Sequence, residues 1–260
     1  MQEKFIVFEN DSFKVLRKAF GEYQTNCYLT LDKRTNEALI IDAGIGASDW
    51  VIETLKGAKP LAILNTHGHF DHIWSNAELT QHFVGIPLLC PLEDAFMLMQ
   101  DCFELGLPIS TPNILVGAQT KSDDALSPKT SDTHNLGRQN TYELGNFVVE
   151  FICYPGHTPG CSVIVVESKH QGADSSPAQN AESPKDISSL SKQRVMFSGD
   201  FIFYRSIGRS DFPYSSNAAM KASLEEFMQR QENLQILPGH GESTSVAQEK
   251  QNIPYWLTRL

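Results

Sequence analysis

The chain lacks the features that mark membrane, secreted and nucleic-acid-binding proteins. Its 260 residues contain no continuous apolar run of about 18 residues, so no membrane-spanning helix is predicted. The first residues, Met1 to Phe5, lack the apolar core of a signal peptide, and we expect a cytoplasmic protein. The net charge of -10 argues against nucleic-acid binding, because a nucleic-acid interface needs a basic surface.

The sequence also lacks the patterns of a disulfide-stabilised protein and of a serine hydrolase. The five cysteines are odd in number and form no Cys-x-x-Cys pair, so no disulfide framework is expected. Cys153 and Cys161 flank His157, and we predict that both are buried strand residues rather than ligands. The sequence has no Gly-x-Ser-x-Gly elbow, and a serine triad is therefore not predicted.

What the sequence does contain is a dense group of metal-binding side chains at 67–72. The segment reads His-Gly-His-Phe-Asp-His, which places three imidazoles and one carboxylate within six residues. These are ligands that divalent transition metals prefer, and a buried imidazole needs a hydrogen bond or a metal partner. Because the apolar run Leu61–Leu64 precedes the segment, we expect the ligands in a strand-to-helix loop at the carboxyl end of a strand.

Three further segments repeat the arrangement of a predicted strand, a glycine and one metal-binding residue. They are Tyr-Pro-Gly-His-Thr-Pro-Gly at 154–160, Ser-Gly-Asp at 198–200 and Pro-Gly-His-Gly at 238–241. Five of the eight histidines therefore follow strands, beside turn residues. We interpret the other three as ordinary surface residues, namely His82, His134 and His170.

The order of these motifs resembles the metallo-β-lactamase fold hydrolases, and among them the short bacterial members of the glyoxalase II group. The similarity also includes Asn-Cys-Tyr-Leu at 26–29, Ile-Asp-Ala-Gly at 41–44 and Gly-Arg-Ser-Asp at 208–211. We therefore expect a single α/β domain over 1–260, a four-layer αββα sandwich with the site along one edge. The sequence predicts strands at 5–8, 13–19, 27–31, 38–42, 162–167 and 194–197, and helices at 47–56, 73–83, 92–105, 217–229 and 245–251.

The resemblance further implies two divalent metal ions, zinc first and iron or manganese as alternatives. Three side chains would hold each ion, and one carboxylate would bridge the two. Asp71 would also orient the hydroxide that attacks the substrate. The implied ligands are His67, His69 and His157 for the first ion, Asp71, His72 and His240 for the second, and Asp200 as the bridge.

This metal centre implies hydrolysis of a small molecule. A thioester is a favourable substrate, because its thiolate leaves without protonation at neutral pH, and the resemblance points to S-lactoylglutathione or a similar acyl-thiol. Antibiotic-degrading members often carry cysteine in place of Asp200, so the carboxylate argues against a β-lactamase. A mononuclear iron persulfide dioxygenase, which also has the motif at 155–160, and a lactonase or other small-ester hydrolase stay open. A non-catalytic metal-binding protein is disfavoured because every ligand position is intact.

For two further residues the sequence allows both a functional and a purely structural role. In similar proteins Asp42 accepts a hydrogen bond from a ligand imidazole, and its alternative is a turn-forming aspartate before Gly44. Arg209 matches a basic position that contacts the glutathione moiety in glyoxalase II-like enzymes. The alternative for Arg209 is an ion pair with Asp211 that shapes the loop.

The remaining expectations concern insertions and partners. Segments 119–139 and 168–192 are polar and are predicted to be flexible surface insertions. Longer glyoxalase II enzymes have a C-terminal helical domain that supplies much of the glutathione pocket, and this chain has no room for it after His240. Glutathione contacts would then come from Arg209, the loops or a partner subunit. The apolar stretch 253–257 is expected either to pack on the domain or to form an oligomer contact.

Overall fold

Two β-sheets face each other at the centre of the molecule, in a computed structural model that describes residues 5–117, 129–131 (main chain), 136–169 and 193–260. Over these residues each sheet has seven strands. The strands of the first sheet lie in chain order: β1 (Ile6–Glu9), β2 (Phe13–Phe20), β3 (Thr25–Asp32), β4 (Glu37–Ile41), β5 (Lys59–Leu64), β6 (Leu88–Pro91) and β7 (Ile114–Val116).

The strands of the second sheet are β8 (Lys129–Ser131), β9 (Gln139–Leu144), β10 (Phe147–Cys153), β11 (Ser162–Ser168), β12 (Arg194–Gly199), β15 (Gln235–Pro238) and β16 (Thr244–Ser245). Their spatial order is β16-β15-β12-β11-β10-β9-β8. A separate two-stranded hairpin, β13 (Ile202–Phe203) with β14 (Ser206–Ile207), follows β12.

Helices cover the outer face of each sheet. The first sheet carries α1 (Ser48–Thr54), α2 (Phe70–Ile73), α3 (Asn76–His82) and, after a 3-10 turn at Leu92–Asp94, α4 (Ala95–Met99). The second sheet carries α5 (Asn217–Phe227) and α6 (Val246–Leu257). The predicted αββα sandwich is therefore confirmed.

Alternation along the strands explains why the sheets are buried on both faces. In β4, Leu39 and Ile41 point into the core between the sheets, whereas Ile40 points toward the helices on the outside. In β11, Ile164 faces the inner core and Val163 the outer helices. Each of these strands therefore reads as a continuous apolar run, as expected for a sheet with both faces covered.

Strand direction brings the metal-binding motifs to one edge. Strands β4, β5 and β6 run parallel, as do β12 and β15, so the carboxyl ends within each group lie side by side. The two sheets are joined at this edge, because the main-chain N–H of Asn26 donates to the carbonyl of Gly239 at 2.7 Å. The Tyr28 hydroxyl donates to the Pro238 carbonyl at 2.6 Å.

The five predicted helices are all present with shifted bounds, and three of them differ from the prediction by three residues or more at one end. The helix predicted at 92–105 ends at Met99, because Gln100 is extended and the Asp101 carboxylate accepts the N–H groups of the next turn at 105 and 106. The helix predicted at 73–83 starts at Asn76, and a separate turn, α2, precedes it. Asp71 and His72 therefore lie on a helix and not in the loop.

The C-terminal helix is longer than predicted. It continues through Pro254 to Leu257, because Ile253 is buried and Trp256 and Leu257 pack against the outer core of the second sheet. The stretch 253–257 thus packs on the domain, and an oligomer contact through it stays a prediction. Within the described residues, no helix is long and apolar enough to cross a membrane.

Other expectations fall partly on residues that the structure leaves undescribed. His134, His170, most of the segment 119–139 and residues 170–192 lie outside the described residues. His82 is exposed at the end of α3, as predicted. Cys153 is buried at the end of β10, and Cys161 is buried directly before β11.

Candidate metal centre

Seven metal-binding side chains from four separate segments meet at the edge where the two sheets join. Asp200, directly after β12, lies at the centre of the group. Its Oδ1 is 3.3 Å from His72 Nε2, and its Oδ2 is 3.4 Å from the Nε2 atoms of both His157 and His240. All seven predicted ligands are thus brought together, with the Asp200 carboxylate between the imidazoles.

The side chains form two groups of the predicted composition. The ligand atoms of His67, His69 and His157 all lie within 4.8 Å of one another. Those of Asp71, His72 and His240 meet the same limit. Each group offers three nitrogen or oxygen atoms to one ion, and the Asp200 carboxylate lies within 3.4 Å of imidazoles from both groups.

Four buried atoms in this group lack a hydrogen-bond partner. They are the Nε2 atoms of His67, His72 and His157 and the Oδ1 atom of Asp200. Leaving one buried polar group unsatisfied costs about 1–3 kcal/mol, so four together are unfavourable unless something binds between them. Divalent metal ions would satisfy all four, and we conclude that the residues present fit a metal centre.

Main-chain carbonyls set the orientation of two ligand imidazoles. His157 Nδ1 is 2.7 Å from the carbonyl oxygen of Arg209, and His240 Nδ1 is 2.9 Å from that of Tyr23. Because a carbonyl only accepts hydrogen bonds, each Nδ1 must carry the proton. Each Nε2 therefore faces the centre, and it presents the lone pair that binds a metal when the imidazole is neutral.

Asp42 fixes two more imidazoles, one directly and one through Thr66. Its Oδ2 accepts from His72 Nδ1 at 3.0 Å and from the Thr66 hydroxyl at 2.7 Å. Since the Thr66 hydroxyl has given its only proton to Asp42, it accepts from His67 Nδ1, 3.0 Å away. Asp42 thus makes the predicted hydrogen bond to a ligand imidazole. A ligand atom of Asp42 also lies within 4.8 Å of those of His67 and His72, but Oδ2 already accepts these two hydrogen bonds and Oδ1 accepts the Thr66 N–H at 2.8 Å.

Asp94 was not singled out from the sequence, and it connects two ligand-bearing loops. It is fully buried after β6, next to the strand that precedes the histidine cluster. Its Oδ2 accepts the Gly68 N–H at 2.9 Å and the Thr158 hydroxyl at 2.6 Å, and its Oδ1 accepts the Gly160 N–H at 2.6 Å. One carboxylate therefore holds the loop of His67 and His69 against the loop of His157.

Close packing of main chain beneath the ligands explains one of the glycines. A Cβ atom added to Gly239 would collide with Asp200 Oδ1 and lie 2.7 Å from His72 Cε1. Only glycine leaves room there for both side chains.

The imidazoles of the first group are held neutral by their surroundings. Burial lowers the pKa of His67 well below its usual value, and it lowers the pKa of His69 to about 3. Burial also lowers the pKa of His157, against the attraction of Asp200. A neutral imidazole is the metal-binding form, so this group presents its ligands without first losing protons.

The second group has the opposite electrostatics because its imidazoles lie next to carboxylates. Burial lowers the pKa of His240, but hydrogen bonds to Asp200 and Asp71 and the charge of Asp200 outweigh burial and raise it to about 9. Burial raises the pKa of Asp71, but the charge of His72 and the bonds from His240 and Thr25 bring it down to about 2. Asp200 is held charged in the same way.

A cavity of about 350 Å³ opens beside the ligands. Its remaining walls are aromatic or apolar, and sequence reasoning identified none of these residues. Phe103 was expected inside a helix, and the turn at Asp101 instead places it in the wall. The wall residues are Tyr23, Phe70, Phe103, Phe212 and Pro213.

Arg209 lies against the wall residue Phe212, with its guanidinium already paired. Its Nε and Nη2 atoms each donate to an Asp211 oxygen at 2.9 Å, and the group lies 4.0 Å from the centre of the Phe212 ring. The structure shows the ion pair that was the alternative prediction. Contact with a substrate stays a prediction.

The sequence model of the metallo-beta-lactamase superfamily matches residues 20–172, which is more than half of the chain. The chain belongs to this superfamily. A curated member that it resembles, an uncharacterized protein of Mycobacterium tuberculosis, is 30% identical over 238 residues, covering 90% of this chain and 94% of that one.

Two other similar proteins have informative names. Hydroxyacylglutathione hydrolase GloC of Haemophilus influenzae is 28% identical over 236 residues, covering 90% of this chain and 93% of that one. The crystal structure of the BLEG-1 B3 metallo-beta-lactamase matches with a TM-score of 0.66 at 25% identity, covering 94% of this chain and 99% of that one.

Proposed function

We propose that this chain is a binuclear metal-dependent hydrolase that cleaves an acyl-thiol, with S-lactoylglutathione as the first substrate to test. The observation that carries the proposal is the set of four buried ligand atoms without partners around Asp200. The similarity to a hydroxyacylglutathione hydrolase supports the thioester class.

The seven ligands divide as the two groups do. His67, His69 and His157 would hold one ion, Asp71, His72 and His240 the other, and Asp200 would bridge them. Two divalent ions held there, zinc or else iron or manganese, would supply a water of lowered pKa and would polarise a substrate carbonyl. The two carboxylates offset part of the repulsion between the ions, since both are charged at neutral pH.

Asp71 has a second role in this proposal, as the group that orients the attacking water. Its Oδ2 accepts the Thr25 hydroxyl at 2.7 Å and lies 3.4 Å from His240 Nε2. The Thr25 bond fixes the direction of the carboxylate, which lines the cavity where a substrate carbonyl would enter. A fixed acceptor beside the nucleophile contributes by orientation rather than by basicity, because the pKa of Asp71 is low.

The completeness of the second group favours hydrolysis over the dioxygenase alternative. A mononuclear iron enzyme would leave Asp71, His72 and His240 without a common purpose, yet their ligand atoms lie within 4.8 Å of one another. A hydrolase with two ions uses all three.

The test is turnover by metal-reconstituted protein, with loss of the thioester followed directly. We expect hydrolysis of S-lactoylglutathione and a fall of about 100-fold or more in kcat for Asp200→Ala. Asp49→Ala, which removes an exposed carboxylate on α1, is the matched control and should leave turnover unchanged.

Three results would contradict the proposal. One is equal turnover by Asp200→Ala and the control. Another is oxygen uptake with glutathione persulfide in the absence of thioester cleavage, which would identify the dioxygenase. The last is hydrolysis of a chromogenic β-lactam or a lactone at a rate far above that of any thioester.

A further inference from the structure

We propose that the acyl group of the substrate is apolar and lies between the aromatic rings that wall the cavity. This inference rests on the proposed thioesterase activity and names its substrate class. The relevant group of residues, called here the aromatic wall, consists of Tyr23, Phe70, Phe103 and Phe212.

The aromatic wall is continuous with the metal centre. Tyr23 packs on Phe70 with ring centroids 5.3 Å apart, and Phe70 packs on Phe103 at 5.8 Å. Phe103 and Phe212 approach the imidazole of His69 to 5.7 Å and 6.1 Å. A carbonyl placed at the ligands would therefore have its acyl chain in contact with these rings.

Part of this apolar surface is exposed without a substrate. Tyr23 is 57% exposed and Phe212 is 37% exposed. Exposed aromatic rings grouped at a concave site are typical of a surface that binds an apolar group. Covering these rings with a hydrocarbon chain removes apolar surface from water and stabilises the bound substrate. A lactoyl group would cover less of this surface, because it offers only one methyl group and a hydroxyl.

The charged residues at the cavity also favour an apolar acyl group. Within the described residues no lysine or arginine lines it, and its two acidic residues are the predicted ligands Asp71 and Asp200. Arg209 stands outside the lining, and the Nε–Nη2 edge of its guanidinium is already paired with Asp211. A charged acyl group would therefore lose hydration without gaining a partner there.

The volume sets the size of the acyl group. About 350 Å³ lies near the lower end of the range for ligand cavities, about 300–1,000 Å³. We therefore expect a short to medium alkyl chain or a single aromatic ring.

The experiment varies the acyl group on one uncharged thiol, N-acetylcysteamine, through acetyl, butanoyl, hexanoyl and succinyl thioesters, with S-lactoylglutathione in parallel. Each methylene buried in the aromatic wall should raise kcat/KM about fourfold, so butanoyl should exceed acetyl about fifteenfold. The succinyl thioester should be slower than butanoyl.

Variants test whether the dependence of kcat/KM on acyl chain length arises from the aromatic wall. Phe103→Ala should reduce the ratio of butanoyl to acetyl several-fold, and Phe103→Leu, which keeps an apolar side chain, should retain most of it. Tyr255→Ala removes an exposed aromatic residue on α6 and should leave the ratio unchanged. Metal content is measured on each variant, because Phe103 contacts His69.

The outcomes separate this inference from the proposed function. Absence of hydrolysis with every thioester, in protein carrying its full metal content, would refute the thioesterase itself. Hydrolysis with a flat or falling dependence on chain length would overturn the apolar acyl group and leave the thioesterase standing. A second series joins a constant butanoyl group to alkyl thiols of increasing length. If kcat/KM rises with the length of the thiol and not with that of the acyl chain, the thiol lies in the aromatic wall and the inference is overturned.

Discussion

Replacing Asp94 with alanine should damage the metal centre without touching a ligand. The change leaves three buried donors without an acceptor, namely the N–H groups of Gly68 and Gly160 and the Thr158 hydroxyl. Each buried donor that loses its acceptor lowers the free energy of unfolding by about 1–3 kcal/mol. Part of this loss is offset, because the variant no longer has to bury a carboxylate. We expect a net loss of about 2–4 kcal/mol in the free energy of unfolding, measured in urea.

The same change should weaken metal binding, because the loops of His69 and His157 are no longer held together. Losing a residue that supports ligands in this way typically costs about 10–100-fold in metal affinity, which equilibrium dialysis with zinc measures. Glu249→Ala is a matched control. Glu249 is also buried and also accepts from three donors, on Arg205, Thr244 and Asn252, but it contacts no ligand.

Comparison of the two variants tests whether Asp94 positions the metal-binding loops. Both should be destabilised, and only Asp94→Ala should lose metal affinity. Equal loss of affinity in both variants would mean that general destabilisation is responsible. Unchanged affinity in Asp94→Ala would refute the positioning role.

Asp94 also predicts a pH dependence of the metal-free protein. Burial raises the pKa of Asp94 to about 6, above the value of about 3.9 in an unfolded chain. The folded state then binds a proton more readily than the unfolded state, so stability from this group rises as pH falls from about 7 to 4. Relative to Asp94→Asn, the wild type should gain about 2–3 kcal/mol over that range, and a gain in the opposite direction would contradict the burial argument.

Three more predictions follow from the site. Asparagine tolerates the left-handed backbone at position 42, but Asp42→Asn should still lower metal affinity about tenfold, because an amide has only one accepting oxygen and cannot accept both the Thr66 N–H on one side and the Thr66 hydroxyl and His72 on the other; dialysis measures it, and wild-type affinity would contradict it. Asp211→Asn should free Arg209 and lower KM for S-lactoylglutathione a few-fold, with KM for the N-acetylcysteamine thioesters unchanged as the control; equal shifts for both would rule out a contact with glutathione. Chelation should lower Tm by about 5–10 °C when the metal had been present at about 100 times its Kd, and Asp200→Ala should show almost no shift; identical shifts would place the ion elsewhere.

The ligand motifs could be predicted because they follow strand ends. His67, His157, Asp200 and His240 each come directly after an apolar run, and parallel strands bring such positions to one edge. The role of Asp42 and the division of the ligands between two ions came from the resemblance to metallo-β-lactamase fold hydrolases. The sequence pattern and this resemblance together gave the position of the candidate metal centre with little knowledge of packing.

The surroundings of the centre depend on long-range packing and were harder to predict. Asp94 also follows a parallel strand, β6, but its segment was predicted to be a long helix. Asp101 ends that helix early by accepting two main-chain N–H groups, which turns Phe103 into the cavity. The choice between the two roles of Arg209 depended on the position of Asp211, which periodicity alone does not give.

The most direct test of the account is the number of metal ions bound per chain. Elemental analysis of purified protein, reconstituted with zinc and freed of excess ion, should give two per chain for the wild type and for His82→Ala, an exposed histidine that serves as the control. Asp200→Ala should bind fewer. One ion per wild-type chain, or two in Asp200→Ala, would contradict a binuclear centre bridged by Asp200.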